Sequence, residues 1–149
     1  NGGFLQVQGS TLVYSTETGG GGATAVWTLM AGWENSVTKT NIGATYTTLI
    51  TVTGFVGFLN MVDFNGKTEI IMHCLWDKVG TGTQSIRLVD AVTSANVLAS
   101  LNVATGSNLL ASTAIPTWAS TVIVFLRPEV KSTTAGDDPI FRVLRLYAK

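Results

Sequence analysis

The residues that offer chemistry gather in one stretch. The sequence has a single histidine and a single cysteine, adjacent at His73 and Cys74, with Asp77 close behind. A nucleophilic thiol needs a base in contact with it. Residues 68–77, Thr-Glu-Ile-Ile-Met-His-Cys-Leu-Trp-Asp, form the longest strand candidate in the chain. Neighbours on a strand point to opposite faces, so His73 and Cys74 cannot make a dyad. Cys74 falls with Ile70, Met72 and Trp76, where a free thiol acts as a small core hydrophobe. Nothing nearby in sequence would lower its pKa. His73 falls with Ile71 and Leu75, and is read as a hydrogen-bonded structural residue. Zinc would need further His or Cys ligands, and none remain.

Other constellations are equally thin. Glu69 and Asp77 stand at the two ends of one strand, roughly 26 Å apart at about 3.3 Å per residue, too far for a glycosidase pair. Asp137 and Asp138, before Pro139 in a Gly-containing loop, are a candidate Ca²⁺ or ligand site, though the hard-ion ligand set is incomplete. Of the four tryptophans, Trp27, Trp33, Trp76 and Trp118, two sit beside loops. Trp33 and Trp118 are therefore the candidates for a glycan-stacking surface, against a core role for all four. The glycine run at 19–22 lacks the Lys-Ser/Thr and the helix of a phosphate cradle and is read as a surface loop. No catalytic residue, cofactor or metal is expected.

The elements that must carry these residues are strands. Residues 4–7 and 11–14 are short strands split by Gly9-Ser10. Residues 24–33 alternate Trp27, Leu29 and Ala31 against Thr28, Met30 and Gly32, a period of two. A polar connection, 34–41, leads to a further strand at 45–58. Residues 40–62 carry no charge, but their Thr, Gly and β-branched alternation suits a sheet rather than a membrane span. Asn65-Gly66 is a strong hairpin signal, so 60–64 should pair with 67–77. Turns at 78–83 and 93–96 extend this into an antiparallel meander over 67–104. Residues 106–116 read as a loop, 121–126 as a strand with Pro128 at its end or on an edge, and 132–139 as a loop. A final strand covers 140–147. No window has helical periodicity with caps. The expectation is one all-β domain over 1–149, an antiparallel sandwich of eight to ten strands.

Composition narrows the function classes. Charged residues make up 12% and hydrophobic residues 46%, against roughly 25% charged in an ordinary soluble domain. Nine basic side chains balance nine acidic ones, which speaks against nucleic acid. One cysteine excludes an intrachain disulfide. No basic-then-apolar leader opens the chain, and its start at Asn1 admits a processed N-terminus or a start inside a larger product. Residues 91–126 contain no charge at all. Ser and Thr take the places where solvated strands carry ions, and a hydroxyl is far cheaper to desolvate. Outer faces that pack against neighbours are the expectation.

Ser85-Ile86-Arg87-Leu88-Val89-Asp90-Ala91, the turn, Val97-Leu98-Ala99-Ser100, and the closing Phe141-Arg142-Val143-Leu144-Arg145-Leu146 after a Gly-Asp loop form a pattern. It resembles the jelly-roll sandwiches of tailed-bacteriophage virion proteins, capsid decoration and fibre domains among them. Jelly-roll carbohydrate-binding modules end similarly. The resemblance spans the C-terminal half only and carries over no catalytic residue. It implies a non-enzymatic virion subunit, a decoration or cement protein that forms homo-oligomers and packs on neighbouring capsid subunits. Residues 1–14, with Phe4 and Leu5, would be an arm or edge strand at that interface. The alternative is an extracellular or cell-surface glycan-binding module built on Trp33, Trp118 and the acids Asp137 and Asp138.

Overall fold

A computed structural model describes residues 4–8, 11–15, 26–38, 43–48 and 59–149, with the backbone course alone for 4–8, 11–15 and 35–38. Eleven strands and no helix occur among them: β1 Phe4–Gln8, β2 Thr11–Ser15, β3 Val26–Thr38, β4 Thr47–Thr48, β5 Asn60–Asp63, β6 Glu69–Asp77, β7 Gln84–Asp90, β8 Val97–Val103, β9 Gly106–Ala114, β10 Ile123–Ser132 and β11 Ile140–Ala148. The glycine run at 19–22 and residues 49–58 lie outside the described residues.

Two antiparallel sheets pack face to face. One has the order β1-β2-β3-β11-β6-β9; the other runs β4-β10-β7-β8, with β5 also on β10. The pairings are nested. β7 closes on β8, β6 on β9, β5 and β4 on β10, and β3 on β11. The chain is thus a long antiparallel ribbon with its tip at the β7–β8 turn, wound into a jelly roll. One core fills the space between the sheets. Trp33, Ile70, Met72, Cys74, Trp76 and Leu144 enter it from one side, and Ile86, Leu88, Leu126 and Val130 from the other. At the β6–β7 crossing a polar bond joins the sheets: Trp76 Nε1 donates to buried Gln84 Oε1 at 2.7 Å.

The ribbon explains where local signals mislead. Asn65-Gly66 does form a turn, with Lys67 N–H donating to Phe64 O at 2.9 Å and Gly66 at φ 74°. It does not make a hairpin. β5 and β6 are successive parts of the same ribbon arm, so the turn carries the chain from one sheet to the other, around fully buried Phe64. For the same reason β6 is not part of a meander with β7 and β8. Residues 106–114 are strand β9, not a loop, held by β6 along their length. The supposed connection after Trp33 continues as β3 to Thr38.

Pro128 lies inside β10, opposite Leu88, rather than at its end. Ser132 N–H reaches Gly43 O, and Thr133 N–H reaches Thr83 O. Alternation therefore turns the nitrogen of Pro128 away from β7. It falls between Leu126, paired with β5, and Glu129, paired with β4. A proline is tolerated where the ladder changes partner.

Candidate functional site

Each sequence candidate has a definite place. Cys74 is fully buried on the core face, and burial pushes its thiol up to about 12. His73 is half-buried on the outer face of the larger sheet, with Nε2 2.7 Å from Ser107 Oγ. Burial, and then the charge of Arg145 opposite it, hold its pKa below the usual histidine range. Each is satisfied by its own surroundings, and they face apart. The carboxylates at the ends of β6 are also separately engaged. Glu69 accepts from Ser112 and meets Lys149 at 3.2 Å, and these, in that order, lower its pKa. Asp77 accepts from Arg142 Nε at 2.9 Å.

Two residues of the expected glycan surface are not on the surface. Trp33 is fully buried in the core, because a bulge intervenes in β3. Leu146 pairs with Ala31 but Tyr147 with Leu29, so Met30 is the extra residue. Trp27 and Leu29 therefore face outward, while Ala31 and Trp33 face in. Trp118 is half-buried and packs against the core. Asp137 is buried as a loop clasp. Its Oδ2 accepts from Gly82 N–H at 3.1 Å and from Ser132 Oγ at 2.8 Å. A Cβ at Gly80 would overlap the carboxylate, and Gly80 sits at φ 82°. This acid ties residues 80–82 to the loop before β11 instead of facing a ligand. Asp138 is half-buried beside it. Among the described residues no three His, Cys, Asp or Glu side chains gather as a metal site. Phe4 and Leu5 lie on β1, at the edge of the chain's own six-stranded sheet beyond β2.

What the fold assembles instead is a surface of unusual charge distribution. The expectation of neutral outer faces is wrong: both carry ion pairs. On the smaller sheet, buried Glu129 receives Arg87 at 2.6 Å and Arg127 at 3.0 Å. Arg87 and Lys131 stack on Tyr46, 4.0 and 4.6 Å from the ring centre. On the larger sheet Arg145 pairs with Glu34, Arg142 with Asp77 and Lys149 with Glu69. The uncharged run 91–126 forms β8, β9, the loops around them and the first four residues of β10. β8 ends one sheet and β9 ends the other. They meet at a corner where Asn108 Oδ1 accepts from Ala104 N–H at 2.8 Å and Nδ2 donates to Ala104 O at 2.7 Å. One side of the sandwich therefore presents two open strand edges without a charge.

Two apolar features adjoin this neutral region. Met61 lies opposite Phe125 on the outer face of the smaller sheet, and both are exposed, as is Ile123. Beside β9, on the outer face of the larger sheet, a cleft of about 200 Å³ is lined by Trp27, Ile71, Leu109, Leu110, Ala111 and Ser112. Trp27 is 2% exposed, and no described residue accepts from its Nε1. Sequence patterning hid this cleft because the bulge at Met30 is what turns Trp27 outward.

The fold and surface define an all-β sandwich with uncharged open edges. A scan against protein-family models finds no match, and neither does a comparison with curated proteins. No helix among the described residues is long and apolar enough to cross a membrane.

Proposed function

We propose that this chain is a non-enzymatic structural subunit that associates with copies of itself and packs on a viral shell as a decoration or cement protein. One observation carries the self-association: the charge-free run supplies one open edge of each sheet, β8 and β9. Edge strands of free-standing proteins are normally blocked by Lys, Pro or inward charges, because their unpaired N–H and C=O groups recruit further strands. Neither edge carries a lysine, a proline or a charge, and each has a single bulge. Exposed Met61, Ile123 and Phe125 add apolar surface suited to being covered. The shell as the setting is supported by the C-terminal pattern and by the jelly-roll winding, an architecture found in capsid proteins and lectins alike. Sedimentation velocity over a concentration series, with electron microscopy of the concentrated protein, should show a symmetric oligomer or lattice. A monomer at the highest concentration, without affinity for viral particles, would sink the proposal.

A further inference from the structure

The free side of β9 specifies how copies would meet. Glu69 and Lys149 exchange both backbone bonds, at 3.3 and 3.1 Å, so the Glu69 backbone faces β11. On the other side Ile115 N–H donates to Thr68 O at 3.1 Å. Antiparallel alternation then directs Met72, Cys74 and Trp76 toward Leu110, Asn108 and Gly106 of β9. It leaves the N–H and C=O of Ser107 and Leu109 pointing away from the sheet. Ala111 and Ser112 stand together opposite Ile71 as a bulge, so the stretch that is regular on both sides of Leu109 is residues 108–110. Leu109 is the exposed large apolar side chain of this strand, at 48%, and it borders the apolar cleft floored by Ile71.

We propose that a second copy of this chain adds its β9 antiparallel to this edge, about a twofold axis at Leu109. The two six-stranded sheets then run on as one. This rests on the self-association reading and names its interface. In that register Leu109 lies opposite the partner's Leu109, a hydrogen-bonded pair with Cα atoms about 5.5 Å apart. The partner's Leu109 packs beside this chain's exposed Leu109 on the outer face, so one occupant satisfies the free backbone groups and covers the exposed leucine beside them. A second copy fits better than a charged partner because the edge is neutral from end to end, as is β8 beyond the corner. Twofold contact of a patch with itself sets no like charges face to face.

The test uses the chain's own chemistry. Cys74 is buried and its thiol is pushed up to about 12, so an introduced surface cysteine is the reactive one. Leu109→Cys should form a disulfide-linked dimer under mild oxidation at least about tenfold faster than Ala135→Cys, which lies in an exposed loop, because pairing raises the local thiol concentration and the separation suits a disulfide. Leu109→Pro removes an outward N–H and no bond to β6, and should return the protein to monomer with little change in melting temperature. If Leu109→Pro fails to fold, the crosslinking comparison decides. Assembly of the parent protein with no faster crosslinking at residue 109 than at 135 overturns this interface and leaves self-association standing. A parent protein that stays monomeric overturns both.

Discussion

Asp137 and Gly80 should prove energetically coupled, with a sign fixed by their geometry. Asp137→Ala removes the acceptor of the Gly82 N–H and the Ser132 hydroxyl. Two hydrogen bonds to a charged group, at about 1.5–3 kcal/mol each, put the loss at about 3–6 kcal/mol. That corresponds to a fall in melting temperature of about 6–24 °C for a chain of this size. Gly80→Ala suffers twice. Its left-handed φ costs roughly 1–2 kcal/mol, and its new methyl overlaps the Asp137 carboxylate, adding about 1–3 kcal/mol of overpacking. In the Asp137→Ala background the overlap with the carboxylate is gone and the φ cost remains. The double variant should therefore be about 1–3 kcal/mol more stable than the sum of the single effects predicts. Gly66→Ala is the control. Gly66 has a similar φ of 74° and nothing near its missing Cβ, so it should cost roughly 1–2 kcal/mol in either background. Urea unfolding of the set, in a stabilising osmolyte so that every variant starts folded, reads these differences directly. Additive Gly80 and Asp137 effects, or an equal cost of Gly80→Ala with and without the carboxylate, would refute the clasp.

Two further outcomes follow from the residues of β6. His73 is held neutral by burial and by Arg145, so the unfolded chain takes up its proton first as pH falls. Its contribution to stability is complete above about pH 6.5, the ordinary histidine value, and is lost as pH drops from there toward the lowered folded value. His73→Gln should flatten the stability profile across that window, and an unchanged slope would contradict the assignment. Cys74, buried with its thiol pushed up to about 12, should not react with a thiol reagent at pH 8 until the protein unfolds. Fast labelling of the native protein would place it outside the core.

Much of the fold is written in local patterns. The β-branched run at Ile123 and the alternation from Ile140 mark β10 and β11, and period two at Ile70, Met72, Cys74 and Trp76 marks the core face of β6. What local patterns do not carry is partner choice. Asn65-Gly66 encodes a turn, but which strand β5 pairs with depends on Phe64 being buried between sheets. β9 has no β-branched alternation, with Thr113 its single β-branched residue among Gly, Ser, Asn, Leu and Ala, and becomes a strand because β6 offers it a ladder, a case of context overriding propensity. The bulge at Met30 has no residue signature and inverts the roles of Trp27 and Trp33. Asp137 looks like a cation-loop acid because its partner Gly82 is distant in sequence. The neutral run is plain in the sequence; that most of it forms one end strand of each sheet is not.

The nested ribbon has a consequence for how the chain acquires its shape. Closing β7 on β8 needs only the short turn between them. That closure brings β6 within reach of β9, then β5 and β4 within reach of β10, and finally β3 within reach of β11. Each step adds little loop-closure entropy once the previous one is made, although these partners lie far apart in sequence and would otherwise pair slowly. The molecule can zip from its tip. During synthesis, however, β3 to β6 leave the ribosome before β8 to β11 exist. A nascent chain that has not reached Val97 holds apolar strands without their ribbon partners, and keeping them apart from other chains is the task such a roll sets the cell.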